Sequence, residues 1–275
     1  MTKILPHVPD HARCNISTTT HQTSSVTLEQ PTNDTTTQRA IYPQFIFFGD
    51  SITQFDGNPS TGFSCIGSLR YNYARRIDII ARGFSGYNTF DALTVLPKFF
   101  PAPQAARVRL VTIFFGANDA CLPHTTGQHV SLKHFKLNLH KLISHPCIVA
   151  HRGVNVLLIT PPPVDEWQFD DLEEPAKSAR KAVIAQAYAR AVVEVGVKSG
   201  TAVVDLWGAC MREVGWDGGE EVPGDRRLEK SGLGRLLVDG LHLSGEGYTI
   251  LSEEMKKVIA SEYPELVPEK IPFAL

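Results

Sequence analysis

The stretch FIFFGDSITQ, residues 45–54, runs from bulky apolar residues directly into Gly49-Asp50-Ser51. A short apolar run that ends at a glycine is typical of a strand buried on both faces of a sheet. Such strands belong to open α/β sheets, in which ligands bind at the carboxyl ends of the strands. The sequence therefore predicts that Ser51 lies at the edge of the sheet where ligands bind.

The rest of the chain alternates short apolar runs with longer stretches of helical spacing. This alternation is typical of a parallel sheet with helices on both faces. We therefore expect a flavodoxin-like, three-layer α/β/α fold with about five strands. The predicted strands are residues 44–48, 77–80, 109–115, 154–160 and 202–206, and the predicted helices are residues 64–74, 88–99, 131–144, 176–198 and 245–262.

Composition limits the number of domains and the class of partner. The chain has 275 residues, of which 43% are hydrophobic and 20% charged, values that suit one globular domain. Residues 15–39 are rich in Thr, Ser, Asn and Gln, so we expect residues 1–39 to form a disordered or loosely attached tail before a single domain at residues 40–275. The net charge of −2 provides no basic face, so no nucleic-acid partner is expected.

Cysteine usage and hydropathy bear on location. The five cysteines are scattered and form no CxxC pair, which favours free thiols in a reducing compartment over a disulfide framework or a zinc site. The sequence has no signal-peptide pattern and no run of about 18 apolar residues. It therefore predicts a cytoplasmic or otherwise intracellular protein without a membrane span, and it leaves the oligomeric state open.

Three further polar clusters are expected at the same edge of the sheet as Ser51. The loop after the second predicted strand reads RGFSGYNT, residues 82–89, and the loop after the third reads FFGANDA, residues 114–120. The third cluster, DGLHLSGEGY at residues 239–248, precedes the last predicted helix. Because functional loops follow the carboxyl ends of parallel strands, we expect the clusters to converge.

These blocks, in this order, resemble the signature of the SGNH or GDSL-type hydrolase family. Their wording is most similar to the isoamyl acetate-hydrolysing esterase branch, and the resemblance covers residues 40–263. It implies the SGNH hydrolase fold and a serine esterase without metal or other cofactor. It also implies small-molecule substrates, namely short-chain esters such as acetates of small alcohols, with water as the acyl acceptor. The matching residues are Gly49-Asp50-Ser51-Ile52, Gly86, Gly116-Ala117-Asn118-Asp119 and Asp239-Gly240-Leu241-His242.

The residue types also fit acyl transfer on chemical grounds. A serine hydroxyl becomes a good nucleophile when an imidazole removes its proton and a carboxylate orients that imidazole. Ser51, His242 and Asp239 supply these groups, and one helix-like turn can bring Asp239 and His242 together. The backbone N–H groups of Ser51 and Gly86 and the side-chain amide of Asn118 supply donors for an oxyanion, which is also how the resemblance assigns them.

Other polar residues receive structural interpretations. Asp50 and Asp119 are expected to hydrogen-bond loop backbone and so to support Ser51 and Asn118. Ser85, in GFSGY, lies one position short of a Gly-x-Ser-x-Gly elbow and is interpreted as a loop residue. Six histidines match no metal-ligand spacing and are interpreted as surface residues on a helix and its flanks; they are His124, His129, His134, His140, His145 and His151.

Simpler interpretations and rival functions remain open. Asp50-Ser51 is a common helix cap, Asn-Asp and Asp-Gly pairs are common in turns, and a lone histidine is usually structural. Their joint occurrence favours the catalytic interpretation. A phosphate-binding module is disfavoured because residues 49–69 hold no Lys or Arg and no GxGxxG or P-loop occurs. An inactive scaffold is disfavoured because every expected catalytic residue is present.

Two segments are candidates for walls of the substrate entrance. Residues 160–175 combine prolines, aromatic and acidic residues, which predicts either a semi-rigid wall or an ordinary exposed loop. Residues 212–235 lead into the Asp-x-x-His block and are longer than the family resemblance leads us to expect. They leave the acyl-chain preference open.

Overall fold

The structure is a computed structural model that describes residues 42–169, 174 and 177–274. The predicted tail, residues 1–39, lies outside the described residues. The division of the chain at residue 40 therefore stays a prediction.

Five parallel strands form the central sheet, with the order β2-β1-β3-β4-β5. This order confirms the predicted flavodoxin-like sheet. The fifth strand ends before the predicted residue 206 because Asp205 caps the helix that follows it. The strands are β1 (Gln44–Gly49), β2 (Asp78–Gly83), β3 (Val108–Phe114), β4 (Asn155–Ile159) and β5 (Ala202–Val204).

Helices cover both faces of the sheet. Four of the predicted helices are confirmed, whereas the predicted helix at residues 176–198 begins only at Ala182. Helical spacing does not reveal α1, α5 and α7, because such short helices display too little of the helical period. The α-helices are α1 (Ser51–Phe55), α2 (Cys65–Asn72), α3 (Thr89–Phe99), α4 (Leu132–Ile143), α5 (Pro146–Val149), α6 (Ala182–Ser199), α7 (Leu206–Glu213) and α8 (Gly245–Glu262).

The unbroken apolar run of β1 follows from burial on both faces. Phe45 and Phe47 belong to the hydrophobic cluster that α2, α7 and α8 cover. Ile46 and Phe48 point the other way, into the cluster beneath α3 and α4. Because side chains alternate along a strand, both faces of β1 have to be apolar.

None of the described helices is long and apolar enough to cross a membrane.

Two glycines let α1 lie close against the carboxyl ends of the strands. A Cβ at Gly49 would lie 2.1 Å from Thr53 Oγ1 and 2.7 Å from the Phe114 carbonyl oxygen. A Cβ at Gly83 would lie 2.1 Å from the backbone nitrogen of Gln54. Larger residues would push α1 away from the sheet, so these glycines position the helix that begins with Ser51.

Candidate active site

Ser51 is the first residue of α1, and only Asp50 separates it from the end of β1. The Asp50 carboxylate caps this helix, since its Oδ1 accepts a hydrogen bond of 3.0 Å from the Ile52 N–H. The helix-cap interpretation is therefore correct for Asp50. By the same contact, the cap fixes the start of the helix that carries Ser51.

Ser51, His242 and Asp239 form a continuous chain of hydrogen bonds. Ser51 Oγ lies 2.8 Å from His242 Nε2, and His242 Nδ1 lies 2.7 Å from Asp239 Oδ2. A carboxylate on Nδ1 holds the proton on that nitrogen and leaves Nε2 as an acceptor for the serine hydroxyl. This arrangement allows His242 to receive the Ser51 proton.

A single turn carries both Asp239 and His242. Asp239 Oδ1 accepts hydrogen bonds from the backbone N–H groups of Leu241, at 3.1 Å, and His242, at 2.8 Å. Partial burial opposes ionisation of Asp239, but the hydrogen bonds from His242 outweigh it and lower the pKa of this carboxyl below its ordinary value. Asp239 is therefore a carboxylate at neutral pH.

The start of α8 is linked to α1. The Tyr248 hydroxyl donates a hydrogen bond of 2.6 Å to the Ile52 carbonyl oxygen, and both residues are buried. This contact joins the segment that follows His242 to the helix that carries Ser51.

Residues 160–169 form a wall against the Asp239–His242 turn. The Asp165 N–H donates to the Gly240 carbonyl oxygen at 2.9 Å, and Gln168 Nε2 donates to the Leu237 carbonyl oxygen at 3.1 Å. Asp165 and Phe169 are buried. The exposed-loop interpretation is therefore wrong for residues 160–169, while residues 170–173, 175 and 176 lie outside the described part.

Part of the long segment at residues 212–235 lies behind this wall. The Gly224 carbonyl oxygen accepts a hydrogen bond of 2.9 Å from the Glu166 N–H. At the end of the segment, Arg235 forms ion pairs with Glu213, at 2.6 Å, and with Glu246, at 2.7 Å. Residues 212–235 thus support residues 160–169 and, through them, the Asp239–His242 turn.

We expect Gly240→Ala to lower kcat/KM for the ester hydrolysis that the family resemblance implies by about 100-fold, because catalytic geometry tolerates little displacement. Gly240 has a φ of +85°, and a Cβ there would lie 2.6 Å from the Asp165 carbonyl oxygen and 2.6 Å from the Phe169 ring. The added methyl would push the Asp239–His242 turn away from residues 160–169. Steady-state kinetics measure the loss of kcat/KM, and thermal unfolding measures any accompanying loss of stability.

Gly232→Ala is the matched control for this substitution. Gly232 has a similar φ of +78°, but a Cβ there would meet nothing within 4 Å. It should lose about 1 kcal/mol of stability from the left-handed backbone and retain nearly native kcat/KM. Equal kinetic losses in the two variants would contradict the importance of the contact beneath Gly240.

The loops that carry Gly86 and Asn118 lie on either side of β1. Gly49, at the end of β1, pairs with Gly83 of β2 and with Phe114 of β3. The chain therefore leaves β2 and β3 beside the start of α1. The Ser85 N–H donates to Gln54 Oε1 at 2.8 Å, which ties the Gly86 loop to α1.

Asn118 is buried, and its carboxamide is hydrogen-bonded at both ends. Nδ2 donates to the Tyr87 carbonyl oxygen at 2.9 Å. Oδ1 accepts from Gln128 Nε2 at 3.2 Å and from Arg180 Nη2 at 3.0 Å. The sequence gives no sign of these two donors, because neither Gln128 nor Arg180 belongs to a recognisable motif.

Two carboxyl groups are buried beside these loops. Asp119 Oδ1 accepts from the Thr89 N–H at 3.0 Å, so Asp119 supports the start of α3. Burial raises the pKa of Asp119 to about 7 and that of Asp50 to about 6, against the lowering effect of their hydrogen bonds from Thr89 and Ile52.

The histidines at 124–151 include one exception to the surface interpretation. His151 is 3% exposed, and its Nε2 and Nδ1 lie within hydrogen-bonding distance of the Pro101 carbonyl oxygen, at 2.8 Å, and the Val108 N–H, at 3.3 Å. The interpretation of His151 as a surface residue is therefore wrong. Its side chain links the segment after α5 to the segment after α3 and to the start of β3. Within the described ranges, no three His, Cys, Asp or Glu residues are grouped in a way that could hold a metal ion.

A parallel α/β/α fold with a serine-histidine-carboxylate chain at the carboxyl ends of its strands is an arrangement typical of serine hydrolases. The model of the GDSL-like lipase/acylhydrolase family matches residues 47–250. The chain belongs to this family, which confirms the resemblance found in its sequence blocks.

Named relatives agree with this assignment. The chain is 34% identical over 240 residues to an isoamyl acetate-hydrolyzing esterase 1 homolog from Bos taurus, covering 83% of this chain and 87% of the relative. It is 33% identical over 231 residues to a GDSL esterase/lipase from Arabidopsis thaliana, covering 80% and 86%. The chain is therefore a carboxylic ester hydrolase.

Solved structures share the fold. A lipase/acylhydrolase from Enterococcus faecalis superposes with a TM-score of 0.56 at 24% identity, covering 80% of this chain and 96% of that one. An acetylxylan esterase from Geobacillus stearothermophilus gives a TM-score of 0.54 at 20% identity, covering 79% and 94%. At such identities, the likeness concerns the fold alone.

Proposed function

We propose that the protein hydrolyses short-chain carboxylic esters, including acetates of small alcohols, through an acyl-enzyme intermediate on Ser51. The observation that carries this proposal is the hydrogen-bonded chain from Ser51 through His242 to Asp239. Relatives named for isoamyl acetate hydrolysis support acetate esters as the substrate class.

The first half of the reaction transfers the acyl group to the enzyme. Ser51 Oγ attacks the ester carbonyl carbon while His242 Nε2 takes the hydroxyl proton, and Asp239 stabilises the imidazolium that forms. When the tetrahedral intermediate collapses, the bond to the alkoxy oxygen breaks and His242 gives its proton to the departing alcohol. The acyl group then remains on Ser51 Oγ.

The second half releases the acid. Water takes the place of the alcohol, His242 removes a proton from it, and the resulting hydroxide attacks the acyl carbonyl. The Ser51 oxygen leaves and recovers its proton from His242. The carboxylic acid departs, and the hydrogen bond between Ser51 and His242 forms again.

Three donors are available for the oxyanion in both halves. In the described part of the chain, the backbone N–H groups of Ser51 and Gly86 donate to no protein acceptor. Asn118 Nδ2 carries two hydrogens and uses one on the Tyr87 carbonyl oxygen. We assign these three groups to the oxyanion hole, in which each donor is worth a factor on the order of 10² to 10³ in rate.

The surroundings of His242 suit a small apolar substrate. The Phe55 ring packs edge-to-face on the imidazole with 5.3 Å between ring centroids, and Phe55 is 37% exposed. Tyr87, beside the Gly86 loop, is equally exposed. The Phe55 ring offers apolar contact to a small alkyl group beside His242.

A panel of esters tests the proposed substrate class. We expect isoamyl acetate to be hydrolysed, and kcat/KM to fall from p-nitrophenyl acetate to the butyrate and octanoate esters. EDTA should leave the rates unchanged. A preference for octanoate would refute the short-chain assignment, and inactivation by EDTA would point to a metal-dependent reaction.

A further inference from the structure

The Asn118 carboxamide is held in one of its two possible orientations. Two donors, Gln128 Nε2 at 3.2 Å and Arg180 Nη2 at 3.0 Å, meet its oxygen, and one acceptor, the Tyr87 carbonyl, meets its nitrogen at 2.9 Å. Rotation of the carboxamide by 180° would place its nitrogen beside the two donors and its oxygen beside the acceptor, which breaks all three hydrogen bonds. These contacts therefore select a single orientation.

This orientation determines where the second N–H of Asn118 points. The amide group is planar, so fixing its oxygen and one of its N–H bonds also fixes the direction of the other. In the opposite orientation, the position that donates a hydrogen bond would be taken by an oxygen, which would repel an oxyanion. Control of the orientation thus decides whether Asn118 stabilises or opposes the negative charge.

Gln128 connects the two loops that supply donors. Its Nε2 also donates to the Gly86 carbonyl oxygen at 2.9 Å. Its own backbone oxygen accepts a hydrogen bond of 3.1 Å from Asn88 Nδ2, at the cap of α3. A single side-chain amide therefore fixes Asn118 relative to the Gly86 loop.

Arg180 contributes a positive charge as well as a hydrogen bond. Its guanidinium forms no ion pair with another described residue, and its Nε is buried without an acceptor there. Its hydrogen bond to the Asn118 amide oxygen places the charge beside that group. A cation that hydrogen-bonds to the oxygen of an amide polarises the amide group, and the N–H groups of that amide then become stronger hydrogen-bond donors.

We propose that Gln128 and Arg180 are positioning residues that orient the Asn118 amide toward the oxyanion, and that the Arg180 charge strengthens it as a donor. The proposal rests on the proposed role of Asn118 in the oxyanion hole. Neither side chain touches the reacting atoms in this scheme. Both act mainly through Asn118, and Gln128 also holds the Gly86 loop.

Single substitutions give the first test. We expect Gln128→Met and Arg180→Met each to lower kcat for p-nitrophenyl acetate by about 10-fold to 100-fold, with KM changed less than about 3-fold. Arg180→Lys should recover part of the lost kcat, because it retains a charged donor. Gln104→Met and Arg190→Met remove the same groups from exposed positions and should leave kcat unchanged.

A double-mutant cycle separates positioning from structural support. Asn118→Ala alone should lower kcat by about 10² to 10³-fold. In the Asn118→Ala background, Arg180→Met should cause almost no further loss of kcat, and Gln128→Met a loss well below its effect in the native protein, because their main route to the reaction has been removed. A general effect on folding, or direct contact with the substrate, would lower kcat again in that background.

The outcomes distinguish this inference from the proposed function. Native turnover in Asn118→Ala would remove Asn118 from the oxyanion hole and thereby refute that part of the proposed function. If Asn118→Ala lowers kcat as expected, two results would overturn the positioning role alone. One is additive losses of kcat in the cycle, and the other is an unchanged kcat in the single variants Gln128→Met and Arg180→Met. Should either methionine variant fail to fold, Gln128→Asn and Arg180→Gln carry the same cycle with smaller changes.

Discussion

Ser51→Ala should lower kcat for p-nitrophenyl acetate by about 10⁴ to 10⁶-fold, because removal of the nucleophile eliminates the acyl-enzyme route. Ser51 is 5% exposed, and among the described residues its hydroxyl has a hydrogen bond only with the His242 side chain, so a smaller residue should leave the fold intact. Rapid quenching with isoamyl acetate, followed by mass spectrometry, should find an acetylated peptide containing Ser51 in the native protein and none in the variant.

Two comparisons make this result specific. Ser85→Ala is the matched control, because Ser85 is exposed in the neighbouring loop and contributes its backbone N–H to Gln54. It should retain nearly native turnover. Combining Ser51→Ala with His242→Ala should lower kcat little further than Ser51→Ala alone, because the two residues act as a unit. Native turnover in Ser51→Ala would end the assignment of the nucleophile.

Asp239→Asn should lower kcat by about 10⁴-fold while preserving the turn. Oδ1 of residue 239 accepts from two backbone N–H groups, and an asparagine oxygen can still do so. The asparagine NH₂ would then face His242 Nδ1 and force that nitrogen to become the acceptor. His242 Nε2 would carry the proton and point it at Ser51, which is the wrong tautomer for removing a proton.

Kinetics and calorimetry together check the Asp239 prediction. The variant should have a Tm close to the native value, since the backbone hydrogen bonds of the turn survive. Asp217→Asn, at an exposed position, is the control for loss of one negative charge and should retain native kcat. A loss in Asp239→Asn of less than about 10-fold would show that the carboxylate does not orient His242.

The parts of the fold that could be predicted are those with a signal within a few residues. The apolar run before Ser51 has a strand's length and a glycine at its end, and the structure confirms β1 there. Helices as long as α8 display several turns of helical spacing, whereas α1 has only five residues. Long elements were therefore predictable from their spacing, whereas only the Asp50-Ser51 cap pattern indicated the short helix that presents Ser51.

The contacts that organise the candidate site were not predictable, because they join residues far apart in the chain. Arg180 lies 62 positions from Asn118, and nothing in its neighbours indicates that it bonds an amide. The wall of residues 160–169 depends in the same way on contacts to Gly240 and Leu237. The residue types of the predicted triad were readable in motifs, whereas the residues that hold the motifs in place were not.

The hydrogen bond between Ser51 and His242 joins residues 191 positions apart. During translation, the serine therefore emerges from the ribosome long before the histidine that would activate it. A partly synthesised chain carries the hydroxyl without its base and, lacking Tyr248, without the contact that ties α8 to α1. Esterase activity should consequently arise only late in synthesis, so that its appearance marks the docking of α8.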